Sequence, residues 1–277
     1  MSQSASDEDP KLTRVVEAVR GGRRYRSVTD QAVRRLARAA LAVEGGDVTR
    51  ATKRTKRGLH EVFGAFMPMT PKYEALLRDV PEALELDDPE AIRTALKPAL
   101  GAHSSTRERL PILTEMYAEV FDRLDTAPAT VRDLACGMNP LTVPWMPLPA
   151  GTTYLASDID HRLMDFAGTV LTALGVPNRV EVRDLLTDPD PEPADVTFLF
   201  KAVPCLEAQG KGLGWKLLDQ INSPVLVVSF PTKTLGRRSR GMYQTHSAEF
   251  ARRVAERPWK CDEIEFGDEL VYVVTKG

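Results

Sequence analysis

Gly137 and Asp158 are the residues of this chain whose type and spacing speak first of chemistry. The apolar run Val131 to Cys136 stops at Gly137, and about twenty residues on a second run, Tyr154 to Ser157, ends on Asp158. Glycine at a strand end lets a ligand lie against bare backbone, because no Cβ blocks the approach. A carboxylate at the tip of the next strand can then accept both hydroxyls of a ribose, as in nucleotide-binding α/β sheets. A second use of Asp158 stays open. Ser157, Asp158 and Asp160 all precede the helical stretch HRLMDFAGTVLTAL, where any of them can serve as an N-cap.

The surroundings of Gly137 narrow the ligand. The sequence is ACGMNP, without the further glycines that open backbone N–H groups to a pyrophosphate. An adenosine cofactor that carries no phosphate, S-adenosylmethionine, fits this better than a dinucleotide. Asp184-Leu185 follows the third apolar run and opens an acidic loop. A carboxylate there can receive the exocyclic amine of adenine while apolar neighbours cover the ring; a solvated acidic turn is the plainer alternative. The fourth run ends in Phe200-Lys201-Ala202-Val203-Pro204-Cys205-Leu206-Glu207, near where a transferred group would lie. It lacks the Asp/Asn-Pro-Pro-aromatic run that receives an exocyclic amine in many base methyltransferases. Cys205 has no neighbouring cysteine or basic dyad to activate it, so it reads as a small packed hydrophobe. In STRERLP, spacing alone makes Arg107 and Arg109 two surface charges beside Glu108.

Charge is distributed unevenly. The chain has a net charge of −2, yet Lys11 to Arg57 holds 14 Lys/Arg against 4 Asp/Glu. Glu181 to Asp195 is acidic, with Glu181, Asp184, Asp188, Asp190, Glu192 and Asp195 against Arg183 alone. Two compact basic stretches, KRTKRG (Lys53 to Gly58) and KTLGRRSRGMYQ (Lys233 to Gln244), suit a phosphate backbone, with binding that weakens steeply in salt. Each alone is the usual make-up of a solvated face. Two of them beside one cofactor site point to RNA.

Composition bounds the rest. With 277 residues, 43% hydrophobic and 27% charged, the chain suits one large α/β domain and a smaller helical one. No apolar run nears the roughly 20 residues of a membrane span, and the opening MSQSASDEDPK is no signal peptide. A cytoplasmic protein is expected. Cys136, Cys205 and Cys261 are odd in number and far apart, and His60, His103, His161 and His246 do not cluster, so no metal is expected.

These residues need elements to hold them. Residues 1–10 read as a disordered tail, 11–103 as a helical domain, and 104–277 as a catalytic domain. The helical patterns are LTRVVEAVR, VTDQAVRRLARAALAVEG, TKRGLHEVFGAF, YEALLRDV and PEAIRTALKPAL, the second closed by Gly45-Gly46. Ser104 to Leu124 adds one more. Strands are expected at Val131–Cys136, Thr153–Ser157, Arg179–Val182, Asp195–Phe200 and Val225–Phe230. A hairpin of Cys261–Phe266 and Glu269–Thr275 closes the chain through Gly267-Asp268. Five crossover strands and a final hairpin form the α/β pattern of class I S-adenosylmethionine-dependent methyltransferases: a Rossmann-like, seven-stranded mixed sheet, here preceded by helices.

RRYRSV, RRLARAAL, KRTKRGLHEVFGAF, HSSTRERLP, RDLACGMNPL, ASDID, DLL, PADV, KAVPCLE, SPVLVVSFPTK and LGRRSRGM together resemble the aminoglycoside-resistance 16S rRNA methyltransferases of actinomycete antibiotic producers. The resemblance runs from about residue 20 to the C-terminus. It implies methyl transfer from S-adenosylmethionine to N7 of guanine 1405 in the 30S subunit, and resistance to kanamycin- and gentamicin-type drugs. It implies a cofactor site of Phe66, His103, Ser104, Ser105, Arg109, Ala135, Gly137, Asp158, Asp184, Leu185, Phe200 and Gln209, with Arg109 on the methionine carboxylate. Phe200 stands where the family pattern has leucine. RNA contacts are implied at Lys53, Arg54, Lys56, Arg57, Lys201, Arg237, Arg238, Arg240 and Met242, with Lys201, Arg240 and Met242 at the target nucleotide. The expected enzyme is a monomer that works by proximity and orientation. Two rivals are methylation elsewhere, such as adenine 1408 N1, and a non-enzymatic RNA-binding protein.

Overall fold

The basic N-terminal segment folds into three helices because its apolar residues recur every three or four positions. The computed structural model describes residues 9–232 and 240–276, with backbone alone over 240–246. Helix α1 (Pro10–Arg20) starts one residue before the expected boundary, with proline in its first turn and the Asp9 carboxylate accepting from the Lys11 N–H at 2.9 Å. Helix α2 (Asp30–Val43) buries Val33, Ala37, Ala40 and Leu41. It ends where Gly45 and Gly46 take positive φ angles of 60° and 79°. Helix α3 (Val48–Leu59) is capped by Asp47 and runs into a single π-helical turn at His60–Gly64. Leu12, Val15, Val19, Val33, Ala37 and Leu59 give these three helices a core of their own.

Next come α4 (Tyr73–Leu76), α5 (Val80–Glu85), α6 (Pro89–Gly101), α7 (Ser104–Arg109) and α8 (Leu113–Asp122). They pack elsewhere. Leu96, Ala99 and Leu100 of α6 and Met116, Tyr117 and Val120 of α8 join the core beneath the sheet. Several details differ from the sequence expectation: α3 starts at Val48, ahead of Thr55, and α4 stops at Leu76, short of Val80. Helix α5 is additional, and Ser104 to Leu124 is broken at Leu110–Ile112, where Pro111 cannot sustain a continuous helix.

The remainder is β1 (Thr130–Leu134), β2 (Thr153–Asp158), α9 (His161–Ala173), β3 (Asn178–Val182), β4 (Val196–Phe200), α10 (Val203–Glu207), α11 (Leu213–Gln220), β5 (Val225–Pro231), α12 (Arg240–Ala255), β6 (Lys260–Phe266) and β7 (Glu269–Thr275). The sheet order is β3-β2-β1-β4-β5-β7-β6. Strands β1 to β5 are parallel, and β7 runs antiparallel between β5 and β6. All five residues of β4 are buried, as expected of a central strand covered on both faces. Helix α9 closes one face through Leu163, Phe166 and Val170. Trp215 and Leu218 of α11 and Phe250 and Val254 of α12 close the other.

Two consequences position the site. Strand order reverses between β1 and β4, which leaves a crevice at the carboxyl ends of β1, β2 and β4, where ligands of such sheets bind. The three-helix bundle is also stitched to this edge by backbone. Val28 bridges to Asp160, the Thr29 N–H donates to the Ile159 carbonyl at 2.7 Å, and the His161 N–H donates to the Ser27 carbonyl at 2.9 Å.

Candidate active site

The crevice is a cleft of about 890 Å3 with its open mouth included, walled by strand ends, the π turn and α7. Ten of the twelve expected cofactor residues line it: Phe66, His103, Ser105, Arg109, Ala135, Asp158, Asp184, Leu185, Phe200 and Gln209. Ser104 lies behind the wall, its N–H donating to the Phe66 carbonyl at 2.8 Å. Gly137 acts through its backbone.

After β1 the chain turns sharply, with Ala135 at φ 50° and Gly137 at φ 54°. The Gly137 N–H donates to Asp158 Oδ2 at 2.9 Å. A Cβ on Gly137 would stand 2.7 Å from His103 Nε2, so the bare backbone makes room first for the imidazole. His103 stacks on Phe66, ring centres 5.8 Å apart. Burial, helped by the charges of Arg109, Lys201 and Arg107, pushes the His103 pKa down to about 3, and its Nδ1 has no partner.

Asp158 is not the helix cap. That task falls to Asp160, whose Oδ1 accepts from the Leu163 N–H at 2.9 Å. Asp158 accepts from Gly137 and from the Ile159 N–H at 2.6 Å. Burial outweighs these bonds and raises its carboxyl to about 6. Asp184 is no solvated turn either. It is buried and paired with Arg35 of α2 at 2.7 Å.

The reading of Arg107 and Arg109 as two surface charges fails for the second. Arg107 is exposed, whereas the turn of α7 aims Arg109 at the sheet, where it is 1% exposed. Its Nη2 donates to Glu269 Oε1 at 2.8 Å, its Nη1 to Asn139 Oδ1 at 2.8 Å, and its guanidinium lies 4.6 Å from the Phe200 ring centre. Lys201, at φ 55° just past β4, is no free cation. Its Nζ meets Glu108 at 2.9 Å and Glu269 at 3.1 Å. Positive φ at two non-glycine residues, Ala135 and Lys201, beside one cleft is strain of the kind found at functional sites.

Of the expected RNA contacts, Lys53, Arg54, Lys56 and Arg57 are exposed on α3. Arg54 pairs with Glu44 and Arg57 with Glu61. Arg237 and Arg238 lie outside the described residues, and Arg240 and Met242 are described in backbone only, at the start of α12. The sequence reading missed Arg35, Asp133, Asn139 and Glu269. Asp133 is buried, bonded to Asn139 at 2.9 Å and Tyr154 at 2.8 Å, and raised by burial to about 7. Its charged side chain inside an apolar strand was the available signal; Glu269 and Arg35 offered none before the fold was known.

S-adenosylmethionine fits these groups. Asp133 Oδ1 and Gln209 Oε1 are buried acceptors without partners in the cleft wall, suited to amine donors. Asp158 and Asp184 both present carboxylates to the same cleft, acceptors for hydroxyl and amine donors. No thiolate competes, since burial raises the Cys205 thiol to about 12. Among the described residues no group of His, Cys, Asp and Glu is placed to hold a metal ion, and no helix is long and apolar enough to cross a membrane.

Comparison with known proteins agrees with this geometry. The family model "Ribosomal RNA methyltransferase (FmrO)" matches residues 21–273. A 16S rRNA (guanine(1405)-N(7))-methyltransferase of Micromonospora echinospora is 51% identical over 277 residues, all of both chains. The crystal structure of the 16S rRNA methyltransferase RmtF with S-adenosyl-L-homocysteine superposes with a TM-score of 0.81 at 32% identity, covering 98% of this chain and 100% of that one. The 16S rRNA methylase RmtB gives 0.76 at 25% identity, covering 96% and 98%.

Proposed function

Because the chain belongs to the FmrO family of ribosomal RNA methyltransferases, we propose that it transfers a methyl group from S-adenosylmethionine to N7 of guanine 1405 of 16S rRNA. The observation that carries this is full-length identity of 51% to an enzyme of that name, combined with a cleft that places Asp158 and Asp184 along one sheet edge. The substrate is the 30S subunit in the cytoplasm, met by a monomer. Residues 11–103 serve as the docking domain.

When bound, S-adenosylmethionine supplies an electrophilic methyl group on a sulfonium centre. The chain's own residues hold and orient. Asp158 accepts the ribose hydroxyls, and Asp184 accepts the adenine amine. Leu185 covers the ring, with Gly137 and Ala135 as the floor, and Phe200, against which the Arg109 guanidinium rests, lies toward the amino-acid end. Phe66, His103, Ser104 and Ser105 shape the end near α7. Asp133 and Gln209 receive amine protons, and Arg109 sets positive charge toward the amino-acid carboxylate.

No general base is required, because N7 of guanine already carries a lone pair. The site agrees with that: His103 resists protonation, and the Cys205 thiol keeps its proton. Catalysis then rests on proximity and orientation. Lys201, held by Glu108 and Glu269, and Arg240 and Met242 contact the target guanine, turned out of its helix at a cost of a few kcal/mol. Lys53, Arg54, Lys56, Arg57, Arg237 and Arg238 take phosphates. The modified base obstructs 4,6-disubstituted aminoglycosides.

The test is incubation with labelled S-adenosylmethionine and intact 30S subunits or naked 16S rRNA, followed by mass-spectrometric mapping. Label on guanine 1405 of the 30S subunit, lost in Asp158→Ala, is the expected result. No transfer, or label on adenine 1408, overturns the assignment.

A further inference from the structure

We propose that Arg35 of α2 is a positioning residue of the cofactor cleft, orienting the Asp184 carboxylate so that one lone pair faces the adenine amine. This rests on the assignment of Asp184 to that amine. Arg35 Nε donates to Asp184 Oδ2 at 2.7 Å and Nη2 to Oδ1 at 3.2 Å, across 149 positions of sequence. Two parallel N–H···O bonds fix the plane of a carboxylate as well as its location, which a single ammonium contact does not do.

The acceptor count shows what this orientation leaves. A carboxylate offers about four lone-pair sites. Arg35 takes one on each oxygen, and the Leu186 N–H adds a 3.3 Å contact to Oδ1. The remaining site is on Oδ2. Asp184 is 3% exposed in its side chain, so no water layer would fix that site if the guanidinium were lost.

Arg35 is itself firmly placed. Its side chain is 21% exposed, and the start of α2 is tied to the loop after Asp158 by the Val28–Asp160 bridge and by the Thr29 N–H on the Ile159 carbonyl. Arg183, the nearest arginine in sequence, is engaged with Glu181 and Asp188. The adenosine half of the cleft is therefore completed by a helix of the N-terminal bundle, and the sheet alone does not finish it.

Calorimetry with S-adenosylhomocysteine and its 6-oxo counterpart, S-inosylhomocysteine, tests this in the full chain, its Arg35→Ala variant and its Arg35→Lys variant, with a melting curve for each. The 6-oxo compound presents an acceptor where the adenosine compound presents an amine. The wild type is expected to prefer the amine by roughly tenfold or more. Arg35→Ala is expected to weaken S-adenosylhomocysteine by roughly tenfold and cut the preference to about threefold or less. Arg35→Lys should fall between, and it carries the test if the alanine variant does not fold. Equal weakening of both ligands, or an unchanged preference, means that Arg35 merely packs the helix, and the proposal fails while Asp184 keeps its role. A wild type without preference removes the role of Asp184, and that of Arg35 with it.

Discussion

Arg109 and Glu269 stand 160 positions apart and meet as a buried ion pair, 2.8 Å from Nη2 to Oε1, with side chains 1% and 2% exposed. The closing hairpin of the sheet thus supplies the counter-ion for the arginine at the end of α7. Removing one partner of such a pair strands the other charge in the interior, at about 3–5 kcal/mol. Glu269→Ala is expected to lose that much in urea denaturation, and Glu269→Gln less, because the amide still accepts one N–H. A loss below about 1 kcal/mol for the alanine variant would show that water reaches Arg109.

The same carboxylate should be visible in acid. Burial pushes the Glu269 carboxyl up, but Arg109 and Lys201 outweigh it and hold it at about 2, below its ordinary 4.5. A depressed carboxyl stabilises the fold fully above the unfolded value and loses that contribution as pH falls toward the folded one. Between about pH 4.5 and 2 the wild type should lose stability more steeply than Glu269→Gln. Parallel curves would remove Glu269 from acid unfolding.

Asp158 runs the other way. Burial raises its carboxyl to about 6 from an ordinary 3.8, so its ionisation opposes folding. Stability therefore falls as pH rises from about 4 to about 6 and is constant above. With Asp158 as the proposed ribose acceptor, S-adenosylhomocysteine affinity should climb up to about tenfold per pH unit below 6, and Asp133, the proposed amine acceptor with a carboxyl at about 7, should add a second step above it. Calorimetry from pH 5 to 8 should show both steps in the wild type and lose the lower one in Asp158→Asn. The same slope in both would assign the titration to another group.

Gly137→Ala tests the turn after β1. The new Cβ would lie 2.7 Å from His103 Nε2 at φ 54°, combining a clash with a left-handed backbone. About 2–4 kcal/mol of stability should go, with cofactor affinity. In a His103→Ala background the clash is gone, and Gly137→Ala should cost only about 1 kcal/mol, the backbone part. Strict additivity in the double variant would show that the imidazole moves aside freely.

Much of this was legible in the sequence, for physical reasons. Periodicity and glycine breaks placed all seven strands to within about two residues, β1 to β5 because a buried parallel strand has little freedom in composition, and β6 and β7 because the turn at Gly267-Asp268 fixes their pairing. Asp158 and Asp184 stood out because they follow apolar runs at the expected strand spacing, and both line the cleft. Side-chain direction was not legible. Spacing leaves Arg107 and Arg109 alike, and only the packed α7 exposes one and buries the other. Arg35 reaches the cleft, and Glu269 reaches Arg109, from distant elements, and no local pattern encodes such a meeting.

Among the described residues, helix α3 presents two kinds of basic side chain, paired and unpaired. Lys53, Arg54, Lys56 and Arg57 look equivalent in sequence, but Arg54 and Arg57 are engaged with Glu44 and Glu61, while Lys53 and Lys56 make no ion pair among the described residues. An exposed ion pair gains little, yet it holds a guanidinium that a phosphate would otherwise orient. Each phosphate contact contributes about one unit to the dependence of log affinity on log salt. Lys53→Ala/Lys56→Ala should therefore weaken 30S binding and lower that slope by about two, with S-adenosylhomocysteine affinity unchanged. Arg54→Ala/Arg57→Ala should do less. A salt slope that stays at the wild-type value in the lysine variant would take this face of α3 off the ribosome and leave the phosphate contacts to the other basic stretch.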